Sequence, residues 1–164
     1  MKSLIQRKQI LLTINKSKFI GIAEKITSLK SFQEKLTEIN NKYNDASHIC
    51  YAYIIDDNIK CTDNGEPSGT AGQPILEILK KNDLNYTAIF VIRYFGGIKL
   101  GAGGLLRAYS NTARETLIDN VKELEKGYFV LINDNYNKER IINTIIKENN
   151  IIEKNYTDNI KIKA

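Results

Sequence analysis

The chain has 164 residues, a formal net charge of +5 and two cysteines. This length suits one full domain with a small appendage, or a single two-layer domain. Two cysteines are too few for a disulfide framework, and the N-terminus lacks the layout of a signal peptide. The longest apolar run, AIFVI at 88–92, is far shorter than the roughly twenty residues of a membrane-spanning helix. We therefore expect a reduced, cytoplasmic protein with no membrane partner, whose charge suits an acidic partner such as nucleic acid.

The N-terminal third of the chain predicts a β-hairpin and then a helix. In residues 8–26, two extended apolar runs lie on either side of Asn15 and Lys16, which is typical of a hairpin. Apolar residues then recur at helical spacing until the polar run NNKYND at 40–45. Ser31 and Glu34 form a candidate capping box for this helix. The residues expected on its buried face are Leu29, Phe32, Leu36, Ile39 and Tyr43.

The middle of the chain predicts two strands and two helices. The runs HICYAYIID at 48–56 and AIFVIRYF at 88–95 are rich in β-branched and aromatic residues, as strands are. A helix between them is expected to begin at Pro74, because the first turn of a helix does not need the missing N–H. A longer helix is expected after Gly104, ending near Lys126. The residues predicted to point inward from this helix are Leu105, Leu106, Tyr109, Ala113, Leu117 and Val121.

The C-terminal residues predict a small β-α-β-β unit. Strands are expected over 128–132, 151–156 and 159–164, with a turn at 157–159 and a helix that carries the isoleucines of 141–146. We therefore divide the chain into domains 1–123 and 124–164. The second is close to the size at which independent folding becomes doubtful.

Two glycine-rich blocks hold eight of the ten glycines: TDNGEPSGTAGQP at 62–74 and RYFGGIKLGAGGLLRAYS at 93–110. Each follows a predicted strand and runs into a predicted helix, so each ends at a helix N-terminus with free N–H groups. Two such ends side by side, with hydroxyls and cations around them, would bind phosphate. The alternative is that the glycines permit close packing and that Ser68 or Thr70 caps a helix. The predicted phosphate- or nucleic-acid-binding residues are Arg93, Lys99, Arg107, Gly96, Gly97, Gly101, Gly103, Gly104, Ser68 and Thr70.

Named catalytic and nucleotide-binding motifs do not fit these blocks. Neither the P-loop pattern nor the full Rossmann fingerprint occurs, because Leu106 stands where the third Rossmann glycine should be. GEPSG differs from a nucleophile elbow, in which the serine stands two residues from each glycine. Zinc at His48, Cys50, Cys61 and Asp63 would lack the close ligand pairs of such sites. We therefore assign no catalytic residue and expect no metal and no cofactor.

Long sequence blocks resemble the IMPACT/YigZ family. They are ASHICYAYII at 46–55, TDNGEPSGTAGQPIL at 62–76 and VIRYFGGIKLGAGGLLRAY at 91–109, and NKSKFIG at 15–21 is similar to the N-terminal motif of the family. The resemblance covers about residues 1–123. The shared positions are His48, Asp63, Gly65, Glu66, Pro67, Gly69, Thr70, Gly72, Arg93, Tyr94, Gly96, Gly97, Gly101, Gly104 and Tyr109.

The resemblance implies an α+β protein. Its N-terminal two-layer domain would contain the left-handed β-α-β crossover found in several ribosomal proteins and in domain IV of elongation factor G, which is a rare exception to the crossover rule. A ferredoxin-like domain would follow it. In eukaryotic relatives, the family acts in control of translation by opposing activation of a stress kinase that inhibits initiation.

This chain departs from the family pattern at two places. Asn64 replaces the second aspartate of the usual Asp-Asp-Gly-Glu-Pro motif, which weakens a carboxylate-pair chemistry there. A complete ferredoxin-like domain needs another helix and strand after NIKIKA, so 124–164 is expected to be a truncated unit with one sheet edge uncovered. An oligomer could form through that incomplete sheet.

Three functional hypotheses remain open. The first is a non-enzymatic translation-associated module that binds RNA or the ribosome through its glycine-rich basic surface. The second is a protein-binding regulator of translation factors or of a kinase pathway, and the third is an enzyme acting on a phosphorylated small molecule with Asp63 or Glu66 as base. Tyr94, Phe95 and Tyr109 are candidate stacking platforms for bases, although core packing is the favoured alternative for Phe95 and Tyr109. Further candidates for the functional surface are His48, Asp63, Glu66 and Tyr94.

Overall fold

A computed structural model of the protein describes residues 1–124 and three strands beyond them. The chain divides into two compact units, Met1–Leu124 and Glu125–Ala164. The elements of the first unit are β1 (Lys2–Leu4), β2 (Lys8–Ile14), β3 (Ser17–Lys25), α1 (Leu29–Lys42), β4 (His48–Ile55), β5 (Asn58–Thr62), α2 (Gly72–Lys81), β6 (Thr87–Tyr94), α3 (Gly101–Leu117) and β7 (Val121–Glu123). Among the described residues, no helix is both long and apolar enough to cross a membrane.

The first unit is built on a five-stranded sheet in the order β2-β3-β6-β4-β5, in which every neighbouring pair is antiparallel. The predicted hairpin is confirmed as β2 and β3. Its turn residues, Asn15 and Lys16, have φ angles of 47° and 64°, which suits the twist of a two-residue hairpin turn. β1 and β7 pair with each other in a separate antiparallel sheet.

Helices cover both faces of the five-stranded sheet. On one face, Phe32 of α1 stacks on Phe90 of β6, with ring centroids 5.8 Å apart. On the other face, Val91 of β6 belongs to the apolar cluster formed with α2 and α3, in which Phe19 meets the edge of Tyr109 at 5.4 Å. The unit therefore has three layers, and the prediction of two layers is wrong. Along residues 88–92 of β6, consecutive side chains point to opposite faces, and both sets are apolar and buried.

The two helical connections of the sheet have opposite hands. The connections β3–α1–β4 and β5–α2–β6 each join parallel strands that lie two positions apart. In the second connection, the strand direction and the direction of the step across the sheet are both reversed relative to the first. The two connections would therefore have the same hand if their helices lay on one face, but α1 and α2 lie on opposite faces. Nearly all such crossovers in proteins are right-handed. Which of the two connections is the left-handed one stays a prediction.

The helix boundaries differ from those predicted. The N-cap of α1 is Ser28, three residues before the Ser31 of the proposed capping box, and it exchanges hydrogen bonds with Ser31. α3 begins before Gly104 and ends at Leu117, where the chain turns into β7. Leu106 is 47% exposed, so it does not point inward as predicted.

The second unit contains a three-stranded antiparallel sheet in the order β8-β10-β9. Its strands are β8 (Phe129–Leu131), β9 (Glu153–Tyr156) and β10 (Ile160–Lys163). All three coincide with predicted strands. The helix predicted at 141–146 and the turn at 157–159 lie outside the described residues. The ferredoxin-like assignment and its truncation stay predictions.

Candidate functional site

The two glycine-rich blocks meet at a buried ion pair. Nη1 of Arg93 donates to Oε1 of Glu66 at 2.6 Å, and the hydroxyl of Tyr109 donates to the same oxygen at 2.8 Å. The side chains of Glu66 and Arg93 are only 3% and 6% exposed. The first block thus reaches the second through Glu66, as the prediction of converging blocks requires.

Arg93 is enclosed by aromatic rings as well as paired with a carboxylate. Its guanidinium carbon lies 5.4 Å from the ring centre of Phe19 and 5.5 Å from that of Phe95. Because this side chain is buried, its charge does not face a phosphate at the surface, contrary to the prediction for Arg93. The guanidinium instead organises the interior side of the site.

His48 and Cys50 complete a polar cluster with Glu66, Arg93 and Tyr109, which we call the buried polar cluster. Nδ1 of His48 lies 2.9 Å from the carbonyl oxygen of Asn64, so this nitrogen carries the hydrogen, and Nε2 lies 4.0 Å from Oε1 of Glu66. The thiol of Cys50 donates to the carbonyl of Asp63 at 2.9 Å. Burial raises the pKa of Cys50 to about 12 and also raises the pKa of Tyr109. Both groups therefore stay protonated at neutral pH and are poor nucleophiles.

The N-terminus of α2 is filled by Asp63 from within the chain. Oδ1 of Asp63 accepts from the N–H groups of Ala71 and Gly72 at 2.9 and 2.8 Å, and Oδ2 accepts from that of Gly69 at 2.8 Å. Burial acts to raise the pKa of Asp63, but these three hydrogen bonds together outweigh burial and lower the pKa below its usual value. An internal carboxylate therefore occupies one of the two predicted anion sites.

Other residues of the first block also have internal roles. Thr70 is buried and its hydroxyl donates to the carbonyl of Pro67 at 2.6 Å, so it does not offer a hydroxyl to an external phosphate as predicted. Ser68 is exposed. The side-chain amide of Asn64 donates to the carbonyl of Ile49 at 3.0 Å, a bond that the aspartate usual at this position could not form when ionised.

Two serines hold the second block in place: Ser17 at the start of β3 and Ser47 just before β4. Ser17 accepts from the N–H of Gly96 at 3.1 Å, and Ser47 accepts from the N–H of Phe95 at 3.0 Å. A Cβ atom at Gly96 would lie only 2.0 Å from the backbone of Lys16. The predicted site includes neither serine. The family motif NKSKFIG, which contains Ser17, could have pointed to that residue.

The N-terminus of α3 differs from that of α2. Neither helix has an acidic residue in its first turn, but Asp63 accepts from the N–H groups at the start of α2, whereas no carboxylate of the described residues accepts from those of residues 101–104 in α3. Lys99 and Arg107 are exposed, and within the described residues no carboxylate lies at salt-bridge distance from either. The guanidinium of Arg107 lies over the first turn, 3.6 Å from where a Cβ of Gly103 would be. The structure therefore brings together free helix amides and two cations at this end.

Tyr94, the last residue of β6, is half-buried. Its hydroxyl donates to Asp45 at 2.7 Å, and this hydrogen bond raises the pKa of Tyr94. Phe95 is 49% exposed, whereas Tyr109 is fully buried. The favoured expectation of core packing therefore holds for Tyr109 and not for Phe95. Across residues 1–124 and the three described C-terminal strands, no three side chains are grouped as metal ligands.

Comparison with known proteins identifies the family. The sequence matches the Impact N-terminal domain over residues 15–117, which is well over half of the chain. The chain belongs to this family. The matched range of the IMPACT family includes the buried polar cluster, both serines that hold the second block, and all of α3.

Individual relatives agree with this assignment. IMPACT family member YvyE of Bacillus subtilis is 48% identical over 109 residues, covering 65% of this chain and 50% of the relative. An IMPACT family member of Haemophilus influenzae is 33% identical over 142 residues, covering 82% of this chain and 68% of the relative. The chain therefore spans about half the length of its Bacillus relative. A crystal structure described as that of a hypothetical protein aligns with 99% of this chain and 82% of its own, at a TM-score of 0.70 and 26% identity.

Proposed function

We propose that this protein is a non-enzymatic, translation-related regulator that binds the phosphate backbone of RNA through the start of α3. The phosphate-binding surface comprises Lys99, Arg107 and the glycines of the first turn. Gly101 and Gly103 are exposed there, and Gly104 is half-buried. In this proposal the backbone N–H groups bind phosphate oxygens, and the two cations supply charge.

The contrast between α2 and α3 carries the proposal. At α2, a carboxylate with three N–H donors at 2.8–2.9 Å shows how a helix start of this chain accommodates an anion. At α3, no carboxylate of the described residues accepts from the N–H groups of residues 101–104, and Lys99 and Arg107 lie nearby. The α3 start therefore has the donors and positive charge that suit an anion from outside the chain.

Family membership supports the link to translation. The Impact N-terminal domain accounts for residues 15–117, and the resemblance to the IMPACT family implies a role in translational control. RNA is the phosphate-bearing polymer of that process. Because the chain spans only part of its relatives, the partner is inferred from the surface itself.

The interior of the site supports a binding role rather than a catalytic one. Glu66, Arg93 and Tyr109 are buried and bonded to one another. Burial also keeps Cys50 and Tyr109 protonated, because it raises the pKa of each. Within the buried polar cluster, only His48 is partly accessible, with 24% of its side chain exposed. These features favour a rigid support beneath a surface over an open acid–base site.

The proposal is tested by measuring RNA affinity at several salt concentrations. Lys99→Gln/Arg107→Gln should weaken binding. It should also reduce the slope of log affinity against log salt concentration by roughly one to two, because each cation that contacts a phosphate displaces about one counterion. Arg114→Gln is the matched control, since Arg114 is an exposed cation near the other end of α3. Equal affinity and equal salt slope in the double variant and the control would refute the proposal.

A protein partner is the second candidate. Ile98 and Leu106 are 43% and 47% exposed close to the same cations. Exposed apolar residues of this size favour protein contacts when they cluster. Such a partner would stay bound at moderate salt and would dissociate in Leu106→Asn, whereas RNA binding would respond to salt.

A further inference from the structure

A groove next to the second block is not used by the proposed function. It has a volume of about 450 Å³ and is lined by Leu11, Lys16, Lys18, Ile20, Tyr94 and Phe95. We propose that this Phe95 groove binds an unpaired base of single-stranded RNA, with the ring of Phe95 as the stacking surface and the two lysines on the flanking phosphates. This inference rests on the proposed function and extends it from phosphate binding to the choice of single strands.

Phe95 is exposed and yet fixed in position. Its backbone N–H donates to Ser47 at 3.0 Å, and its ring centre lies 5.5 Å from the guanidinium carbon of Arg93. Arg93 is in turn held by Glu66 at 2.6 Å. About half of the Phe95 side chain nevertheless remains exposed to solvent. A ring that is already ordered loses little conformational freedom when a base stacks on it.

The charge of the groove favours a polyanion over a protein segment. Lys16 and Lys18 line it, and no carboxylate does. The nearby Asp45 is engaged by the hydroxyl of Tyr94 at 2.7 Å. Lysine is depleted in protein–protein interfaces, whereas basic residues beside exposed aromatic rings are the usual surface for single-stranded nucleic acid.

The groove and the start of α3 are close enough to act on one strand. Phe95 and Gly101 stand six positions apart in the sequence, so their Cα atoms lie at most roughly 22 Å apart. A few nucleotides can bridge that distance. In a duplex the bases are paired and stacked on each other, so only a single strand can present a base to Phe95 while its phosphates reach Lys99 and Arg107.

Fluorescence anisotropy with the full chain and three labelled probes of equal length tests the inference. The probes are a single-stranded oligouridine, the same strand with abasic sites, and an RNA duplex. Phe95→Leu keeps apolar bulk and removes the aromatic face, and Phe95→Tyr restores the ring. Phe95→Leu should weaken oligouridine binding roughly 5- to 150-fold, because stacking contributes about 1–3 kcal/mol per base. Phe95→Tyr should bind as the wild type does, and abasic binding should be equal in all three proteins.

The outcomes separate this inference from the proposed function. If Phe95→Leu binds oligouridine as tightly as the wild type does, while Lys99→Gln/Arg107→Gln binds it weakly, the stacking site is refuted and the phosphate site stands. Equal losses for the abasic and oligouridine probes would also refute stacking. If the wild type binds none of the probes, the proposed function fails and the inference with it. Unfolding midpoints equal to that of the wild type establish that each variant is folded.

Discussion

The carboxylate of Glu66 and the guanidinium of Arg93 form an ion pair in the interior of the first unit, at 2.6 Å. The two residues stand 27 positions apart in the sequence, one in each glycine-rich block. Nε of Arg93 has no hydrogen-bond partner within the described residues. The pair therefore joins the two blocks while leaving one buried donor unsatisfied.

Removing one partner of this pair should cost far more than removing both. Glu66→Leu leaves a buried guanidinium without a counter-charge, and Arg93→Met leaves a buried carboxylate without one. We expect each single change to lose about 3–5 kcal/mol in the free energy of unfolding. The double change Glu66→Leu/Arg93→Met removes both charges and the unsatisfied Nε, so it should lose less than the sum of the two single changes. Urea denaturation of the four proteins gives the comparison. Additive losses would show that the two side chains are not coupled.

Stability at low pH should depend on Asp63. Its pKa is lowered in the folded protein because three N–H donors outweigh the effect of burial. A carboxyl group with a lowered pKa stabilises the fold above its unfolded pKa of about 3.9, and this contribution is lost as the pH falls through the folded value. We therefore expect the free energy of unfolding to fall below about pH 4, and Asp63→Asn to flatten that part of the profile.

The same variant should also be less stable at neutral pH. Asp63→Asn replaces one acceptor oxygen with a donor at the start of α2, for an expected loss of about 1–3 kcal/mol. Asp57→Asn changes an exposed aspartate in the β4–β5 turn and serves as the control. If the free energy of unfolding of Asp63→Asn follows that of the wild type from pH 3 to pH 7, this role of the carboxylate is contradicted.

Two glycines of the second block should respond oppositely to alanine. At Gly96, the new Cβ would lie 2.0 Å from the backbone of Lys16, so the loop must move, at an expected cost of about 1–3 kcal/mol or more. At Gly103, the nearest atom apart from the helix backbone is the flexible end of the Arg107 side chain at 3.6 Å, and the position is helical. Gly103→Ala should therefore be neutral or stabilise by up to about 1 kcal/mol. Thermal unfolding measures both, and a stable Gly96→Ala protein would contradict the close packing.

The two cysteines should differ in their reaction with thiol reagents. Cys50 is buried, and burial raises its pKa to about 12, whereas Cys61 is partly exposed with a pKa that burial raises less far. Because the thiolate is the reacting form, Cys61 should be alkylated first and Cys50 only when the protein unfolds. Mass spectrometry of the native protein and of Cys61→Ser after iodoacetamide treatment gives the order. Rapid labelling of Cys50 in native Cys61→Ser would contradict the burial.

Local patterns in the sequence predict the elements well where burial follows a simple period. Phe32 and Ile39 recur at helical spacing and are buried in α1, and the apolar runs either side of Asn15 become β2 and β3. The short strands β1, β5 and β7 are missing from the predictions. β1 and β7 span only three residues each and are stabilised by pairing across more than a hundred positions, which no local window contains.

The site was harder to predict than the elements, because the sequence shows which residues are charged but not where their side chains point. Arg93 and Lys99 are both basic residues of the same glycine-rich block, yet Arg93 is buried in an ion pair with Glu66, whereas Lys99 is exposed at the surface. In the same way, Asp63 could have been a base, but its position relative to α2 makes it a helix cap. Such pairings depend on tertiary contacts between distant segments.

The strand order also has a consequence for how the chain assembles as it is synthesised. β6 lies at the centre of the sheet, between β3 and β4, but it is the last of the five strands in the sequence. Until β6 leaves the ribosome, the strand that joins the hairpins β2–β3 and β4–β5 is missing, so the edges of β3 and β4 that face it stay unpaired. Both hairpins gain a common neighbour only when residues 87–94 emerge, so closure of the sheet is a late and cooperative event.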